Sequence, residues 1–376
     1  MIASEALFVT GMQRSGTTLL EKLLGQHPDV SMLSQPFPHV FVDTKAVFLR
    51  ARGYTERYPL GPLIDEDRYE LAEFTEFLAS YRLDAAALRV LFEQMADYSG
   101  QLTKFSDKRL EQVLSDIPDS SFAELARTLW RNLSEQPGAR IFGAKEIMCE
   151  EYLPYLLANG VYAVVIIRDP RDCLTSLNYG RGREFGGRVK PTLFNLRHWR
   201  KSVAYALRFE ETPGFTWLRY EDLVDNPQRE LDQLADQLRL PPFDSRWFED
   251  GIRDHRGNLW RGNSSHDSRF GIDPSSVGGY RRLLPPEVVA YTEAICYLEM
   301  QMLGYTGDLA EADAADAIRS FREPYDVLRD GLVGYTDAPA NIETELARLA
   351  AVRGAPDPRR FLFPEVQRRL REAIEA

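Results

Sequence analysis

Two short stretches of this 376-residue chain carry residues of a kind and spacing that can grip an anion. The first is Gly11-Met12-Gln13-Arg14-Ser15-Gly16-Thr17-Thr18. Backbone N–H groups of such a glycine-bounded loop, with the N-terminus of a helix behind it, can wrap a phosphate. The spacing matches a Gly-x4-Gly-Lys-Ser/Thr loop, but Thr17 stands where that lysine belongs and Arg14 lies inside the loop. With no lysine to reach the β- and γ-phosphates, the loop suits a 5′-phosphoryl group bearing one further oxyanion better than Mg-ATP. The second stretch is Arg168-Asp169-Pro170-Arg171-Asp172-Cys173-Leu174-Thr175-Ser176. Arg168 follows directly on an apolar run, and Ser176 falls about two turns into the helix that Pro170 begins. The two can reach one anion from two directions. A plainer reading stands beside this one, with Arg168 paired to Asp169 and Ser176 facing solvent.

These residues need elements to position them. Glu5 to Thr10 reads as a buried strand, Gly11 to Thr17 as a loop, and Leu19, Leu20, Leu23 and Leu24 as a helix stopped by Gly25 and Pro28. From about 45 to 138 the pattern is helical, with Leu71, Phe74, Phe77, Leu78 and Tyr81 on one face and Leu88, Leu91, Phe92 and Met95 on another. Ser121 and Glu124 have capping-box spacing. An α/β pattern then resumes. Ile141 to Ala144 is a short strand, Glu150 to Ala158 a helix, and Val161 to Ile167 a continuous apolar run suited to a strand covered on both faces. A helix over 192–210, a strand at Phe215 to Leu218, a helix over 228–238 and one from Pro286 to Leu303 follow. Ligands in open sheets of this kind bind at the carboxyl ends of the strands, where both anion-gripping stretches fall.

Composition bounds the ligand. The chain has 46 Lys+Arg against 57 Asp+Glu, a formal net charge of −11. That balance disfavours a nucleic-acid surface, which needs a basic domain, but not a local anion pocket. No apolar run is long enough to span a bilayer. Ala6-Leu7-Phe8-Val9 follows the start with no basic leader region, so no membrane partner and a cytoplasmic location are expected. Cys149, Cys173 and Cys296 lie too far apart for a disulfide framework or metal-ligand spacing.

Taken together, the two stretches resemble those of the PAPS-dependent sulfotransferase family, whose sulfuryl donor is 3′-phosphoadenosine 5′-phosphosulfate (PAPS). Arg14, Ser15, Gly16, Thr17 and Thr18 resemble its 5′-phosphosulfate loop. Arg168 with Ser176 resembles its 3′-phosphate motif, an Arg and a Ser eight residues later. Leu218-Arg219-Tyr220-Glu221-Asp222-Leu223 is similar to a Tyr-Glu-Asp segment whose Tyr lies by the adenine. Gly262-Asn263-Ser264-Ser265 and Ser275-Ser276-Val277-Gly278-Gly279-Tyr280-Arg281-Arg282 resemble the late loop that closes over the nucleotide, so Gly279, Tyr280 and Arg281 would help hold it. The resemblance covers roughly 5–44 and 139–305. It implies a three-layer α/β P-loop-like domain with a central parallel sheet over 1–305, a helical insertion near 45–138, and a C-terminal helical extension over 306–376. The activity implied is sulfuryl transfer from PAPS to a hydroxyl or similar nucleophile of a small-molecule acceptor, releasing PAP.

Such a transfer moves an SO3 unit in line between two oxygens while charge builds on the leaving phosphate and the equatorial oxygens, much as in loose phosphoryl transfer. It needs donors aimed at those oxygens and, for a hydroxyl acceptor, a base. The leaving group is good, so no metal is expected. Arg14 and Lys145 are the donor candidates. Arg14 holds its proton and so stabilises charge, and Lys145 matches the Lys that ends the family's second strand. The family's bases are replaced: Ile147 stands where cytosolic members carry His, and Gln35 where the tyrosylprotein branch carries Glu. Glu146 heads the remaining candidates, with a plain salt bridge as its alternative role, and His39 and His266 stand behind it.

Arg181, Arg183, Arg188 and Lys190 could draw in an anion, although a solvated surface loop accounts for them too. Phe74, Phe77, Tyr81, Phe92 and Tyr98 could wall the acceptor pocket, most of them serving as core. Two rival functions remain at this stage, a P-loop kinase and a non-catalytic nucleotide-binding protein. A homo-oligomer through the tail helices is open.

Overall fold

Alternation along β1 (Ala6–Thr10) sets up two apolar layers: Ala6 and Phe8 enter one, Leu7 and Val9 the other. The computed structural model describes residues 5–56, 58–63, 68–95, 111–112, 114–115, 121–134, 136, 138–178, 190–254, 257–260, 262, 271–310, 313–325, 332, 335, 339–351 and 354–375. After β1 come α1 (Thr17–Leu24), β2 (Val30–Ser34) and α2 (Pro38–Arg50). The helical stretch that follows contains α3 (Leu71–Ser80), α4 (Ala85–Met95) and α5 (Phe122–Leu133). The α5 helix starts on the expected capping box, Ser121 and Glu124 each taking the other's backbone N–H.

The sheet resumes with β3 (Ile141–Lys145), α6 (Leu153–Ala158), β4 (Tyr162–Ile167), α7 (Pro170–Asn178), α8 (Thr192–Phe209) and β5 (Phe215–Arg219). Then follow α9 (Tyr220–Asp225), α10 (Pro227–Leu238), α11 (Tyr280–Leu283) and α12 (Pro286–Met302). The chain ends with α13 (Ala314–Ser320), α14 (Pro339–Ala351) and α15 (Pro364–Glu375).

The five strands are all parallel, in the order β2-β3-β1-β4-β5. The direction of travel therefore reverses across β1, and the loop leaving β1 sits at the switch point where ligands bind in open α/β sheets. The run in β4 is covered on both faces, as its continuous apolar character requires: Ala163, Val165 and Ile167 belong to one core, Val164 and Ile166 to the other. Strand β2 is the element the periodicity did not announce. Its Val-Ser-Met-Leu-Ser pattern neither alternates cleanly nor runs apolar, and pairing with β3 makes it a strand.

The insertion aromatics form a packed cluster. Phe74 sits against Phe48 and Tyr152, Phe92 against Phe37, and Phe77 stacks on Tyr81. Phe74 and Phe92 are buried, and such side chains each contribute about 1.5–3 kcal/mol by burial. Tyr98 lies outside the described residues. The segment beyond Tyr305 joins this same larger core through Ile318, Phe361, Leu362, Phe363, Val366 and Leu370. Among the described residues no helix is long and apolar enough to cross a membrane.

Candidate active site

Strained backbone collects at the carboxyl edge of the sheet. Of five described non-glycine residues with a left-handed φ, three follow strands there: Arg14 (72°) after β1, Gln35 (47°) after β2 and Met148 (60°) after β3. Such conformations persist where the surroundings over-determine them. Here the ties are visible. Gln35 N donates to the Lys145 carbonyl at 2.8 Å, Met148 N to the Gly11 carbonyl at 2.9 Å, and Cys149 N to Thr10 Oγ1 at 3.1 Å. The loops beyond β2 and β3 are thus stitched to the loop beyond β1.

That loop closes on α1 through Gly16, which takes φ 104° and gives a Cβ no room: Tyr220 Cδ2 would lie 2.4 Å away. Only glycine meets both conditions. Tyr220, the first residue of α9, is itself packed between Gly16 and Arg168, whose guanidinium lies 4.4 Å from its ring centroid. Thr17 is buried and Thr18 half-buried at the start of α1. Ser15 Oγ is buried with no hydrogen-bond partner among the described residues.

Three cations converge on this edge. Arg14 Nε donates to Ser176 Oγ at 2.9 Å, and burial together with the Arg168 charge pulls its pKa down to about 10. Arg168 Nη1 donates to the Arg14 carbonyl at 3.4 Å and Nη2 to the Ser276 carbonyl at 2.7 Å, while its buried Nε has no partner among the described residues. Arg14 therefore bridges the two ends of the Arg168–Ser176 stretch. Asp169 does not pair with Arg168; it takes both Nε and Nη2 of Arg171, at 3.0 and 2.7 Å. That leaves the Arg168 guanidinium without a carboxylate partner among the described residues.

Lys145, also buried, meets Gln35 Oε1 at 3.4 Å and no carboxylate within ion-pair distance among the described residues. Burial lowers its pKa, with Glu21 and Glu146 pulling the other way. Arg168 and Lys145 are thus buried cations short of counter-charges among the described residues, an arrangement that favours a nearby anion.

Glu146, next along the chain, turns its carboxylate to the Phe37 amide, 2.8 Å from Oε1. Burial raises its pKa to about 8 against the opposing pull of that amide and of Lys145. His39 is half-buried in the first turn of α2. Lys190 Nζ reaches Gln13 Oε1 at 3.2 Å, beside Arg14. His266, Asn263 to Ser265, Arg181, Arg183 and Arg188 lie outside the described residues.

A model of the sulfotransferase family matches residues 6–245, which is more than half of the chain. The chain belongs to the sulfotransferase family. Solved structures of related fold include the sulfotransferase domain from the curacin biosynthetic pathway, 20% identical with a TM-score of 0.44 over 80% of this chain and 98% of that one. Sulfotransferase STF9 from Mycobacterium avium is 15% identical, TM-score 0.38, over 82% of this chain and 79% of that one. Retinol dehydratase, solved with retinol and PAP, is 16% identical, TM-score 0.37, over 82% and 84%. No curated protein matches the chain.

Sequence reasoning singles out Arg14, Arg168, Ser176, Tyr220 and the late loop, and in the fold of this family member they lie beside one another. Gly279 and Tyr280 are buried, Tyr280 beneath Arg171 with 4.0 Å from guanidinium to ring, whereas Arg281 is exposed. Two residues it passed over are Asp172 and Ser276. Asp172 accepts from the Gly278 and Tyr280 amides, and Ser276 Oγ lies 2.9 Å from Tyr220 Oη. Nothing local marks either one, because both act on segments more than fifty residues away in the chain.

Proposed function

We propose that the chain transfers a sulfuryl group from PAPS to a nucleophile, such as a hydroxyl, on a small-molecule acceptor and releases PAP. The observation that carries this reading is the meeting of buried Lys145 and Arg168 with half-buried Arg14 at the tips of parallel strands around the Gly11–Thr18 loop. The residues present suit such a substrate. Ser15 Oγ and Arg168 Nε are buried polar atoms whose hydrogen bonds the described residues do not fill, and a doubly charged anion supplies acceptors for both.

In this reading the loop amides and Ser15 hold the 5′ end, Arg168 and Ser176 the 3′-phosphate, and Arg281 with the late loop covers it. Tyr220 braces the site and borders the adenine. Arg14 and Lys145 stabilise the charge that builds during transfer. Thr17 in the place of a lysine argues against a nucleoside triphosphate as the donor.

Glu146 is the base in this proposal. It leaves the sheet on the face opposite Lys145, toward α2 and the insertion, where a small acceptor would be walled. A pKa near 8 suits a base working close to neutrality. Turnover then rises with pH up to about 8, and Glu146→Gln lowers it by roughly 100-fold or more and flattens that limb. Turnover of the variant within a few-fold of wild type refutes the assignment. The same substitution has a stability readout. Because the folded carboxyl keeps its proton up to about 8, the folded state binds more protons than the unfolded chain above the usual carboxylate range. Stability from this group therefore falls as pH rises across that window, and Glu146→Gln removes the slope.

The proposed function is tested by calorimetric titration of the purified chain with PAP and with Mg-ATP. Micromolar PAP binding and none for Mg-ATP is expected; the reverse result sinks it.

A further inference from the structure

The late loop is fastened from below by one carboxylate. Asp172 sits in the first turn of α7, but its side chain does not cap that helix. It reaches across to residues more than a hundred positions later, where Oδ2 accepts from Gly278 N at 2.7 Å and Oδ1 from Tyr280 N at 3.0 Å. One ionised side chain thereby takes two backbone amides of the same loop, a strong, charge-assisted arrangement. Its neighbour Arg171 lies over the Tyr280 ring and is itself held by Asp169 and by Glu293 of α12, the latter at 2.6 Å.

The loop so fixed is not idle. Its Ser276 carbonyl takes Arg168 Nη2, and its Ser276 hydroxyl meets Tyr220. Gly278 takes φ 73°, and a Cβ there would lie 2.8 Å from Arg281 Nη1, so the conformation that presents both amides to Asp172 also leaves room for the folded-back Arg281. Among the described residues, no hydrogen bond of the Asp172 side chain goes to the loop that follows β1. Everything it organises lies on the Arg168 side of the site.

We propose that Asp172 is a positioning residue that fastens the late loop beside Arg168 and so sets a preference for nucleotides bearing a 3′-phosphate. The nucleotide half of this rests on the sulfotransferase reading above; the fastening does not. Without the carboxylate the Gly278 and Tyr280 amides lose their acceptor, the loop loosens, and the carbonyl that orients Arg168 is no longer fixed. Binding at the 5′ end is untouched.

The test has two arms. In hydrogen exchange on the ligand-free chain, Asp172→Asn speeds exchange of the Gly278 and Tyr280 amides by about 10-fold or more, while peptides from β1 and β4 are unchanged. In calorimetry, the variant binds PAP about 10-fold or more weakly but ADP, which lacks the 3′-phosphate, within about 2-fold of wild type. Gly278→Ala strains the other end of the same contact and shifts the PAP-to-ADP ratio in the same direction. Unchanged exchange at the two amides overturns the fastening. An equal loss for both nucleotides overturns the preference and leaves a merely structural carboxylate. If the wild type binds neither nucleotide, the sulfotransferase reading fails, and the exchange arm alone decides whether Asp172 holds the loop.

Discussion

Arg168→Ala is expected to weaken PAP binding by roughly 100-fold or more, about 3 kcal/mol. The side chain is buried, sits on the Tyr220 ring and spends two of its nitrogens on the Arg14 and Ser276 carbonyls. Those bonds hold the guanidinium in place at little further entropic cost on binding. Removing it deletes a charge-assisted contact, and it also unties the loop beyond β1 from the late loop. Arg168→Lys recovers little of the loss, because an ammonium cannot reach both carbonyls and still face a ligand. Calorimetry with PAP reads both variants, and an alanine variant that binds within a few-fold of wild type removes Arg168 from the site.

The second large effect lies between α14 and α8. Glu345 of α14 is buried and pairs with Arg197 and Arg200, which flank Trp199 on α8. Trp199 Nε1 in turn holds the Arg168 carbonyl at 2.7 Å. Glu345→Ala leaves two buried guanidiniums short of their carboxylate and should cost about 3–5 kcal/mol in denaturant unfolding, with a parallel fall in PAP affinity. Burial alone would push the Glu345 carboxyl up, but Arg200 and Arg197 outweigh it and hold it at about 2. The pair's stabilisation is therefore present above the usual carboxylate range and is lost as pH falls toward about 2. An acid limb in wild-type stability that persists unchanged in Glu345→Ala would contradict this account.

The contact also changes how the end of the chain is read. In a linear reading the charged, helix-prone residues beyond 305 leave open whether the tail helices pack on their own domain or on a second chain. In the fold, Arg348 pairs with Glu299 of α12, and Phe361 to Phe363 are buried beside Tyr205 of α8. Periodicity reports that a helix has two faces; it does not report which partner charge waits on the other side.

Much of the scaffold was legible because its signals are local. Val161 to Ile167 suited a strand covered on both faces, Pro170 marked a helix start, and Ser121 with Glu124 announced a cap that forms. Strand β2 carries no such signal, and with it went the setting of Gln35, whose backbone and side chain both meet Lys145.

Legible along the chain alone are the order of the Gly11–Thr18 and Arg168–Ser176 stretches, the parallel α/β frame, and Gln35 and Ile147 at the positions where the family resemblance places bases. Those are properties of residue type and spacing along one chain. It takes the folded packing to assign Asp169 to Arg171, to link Arg168 to Ser176 through Arg14, and to give Asp172 the Gly278 and Tyr280 amides. A charged group chooses its partner by what lies within hydrogen-bond reach once water is excluded, and that is settled by packing between segments far apart in the chain.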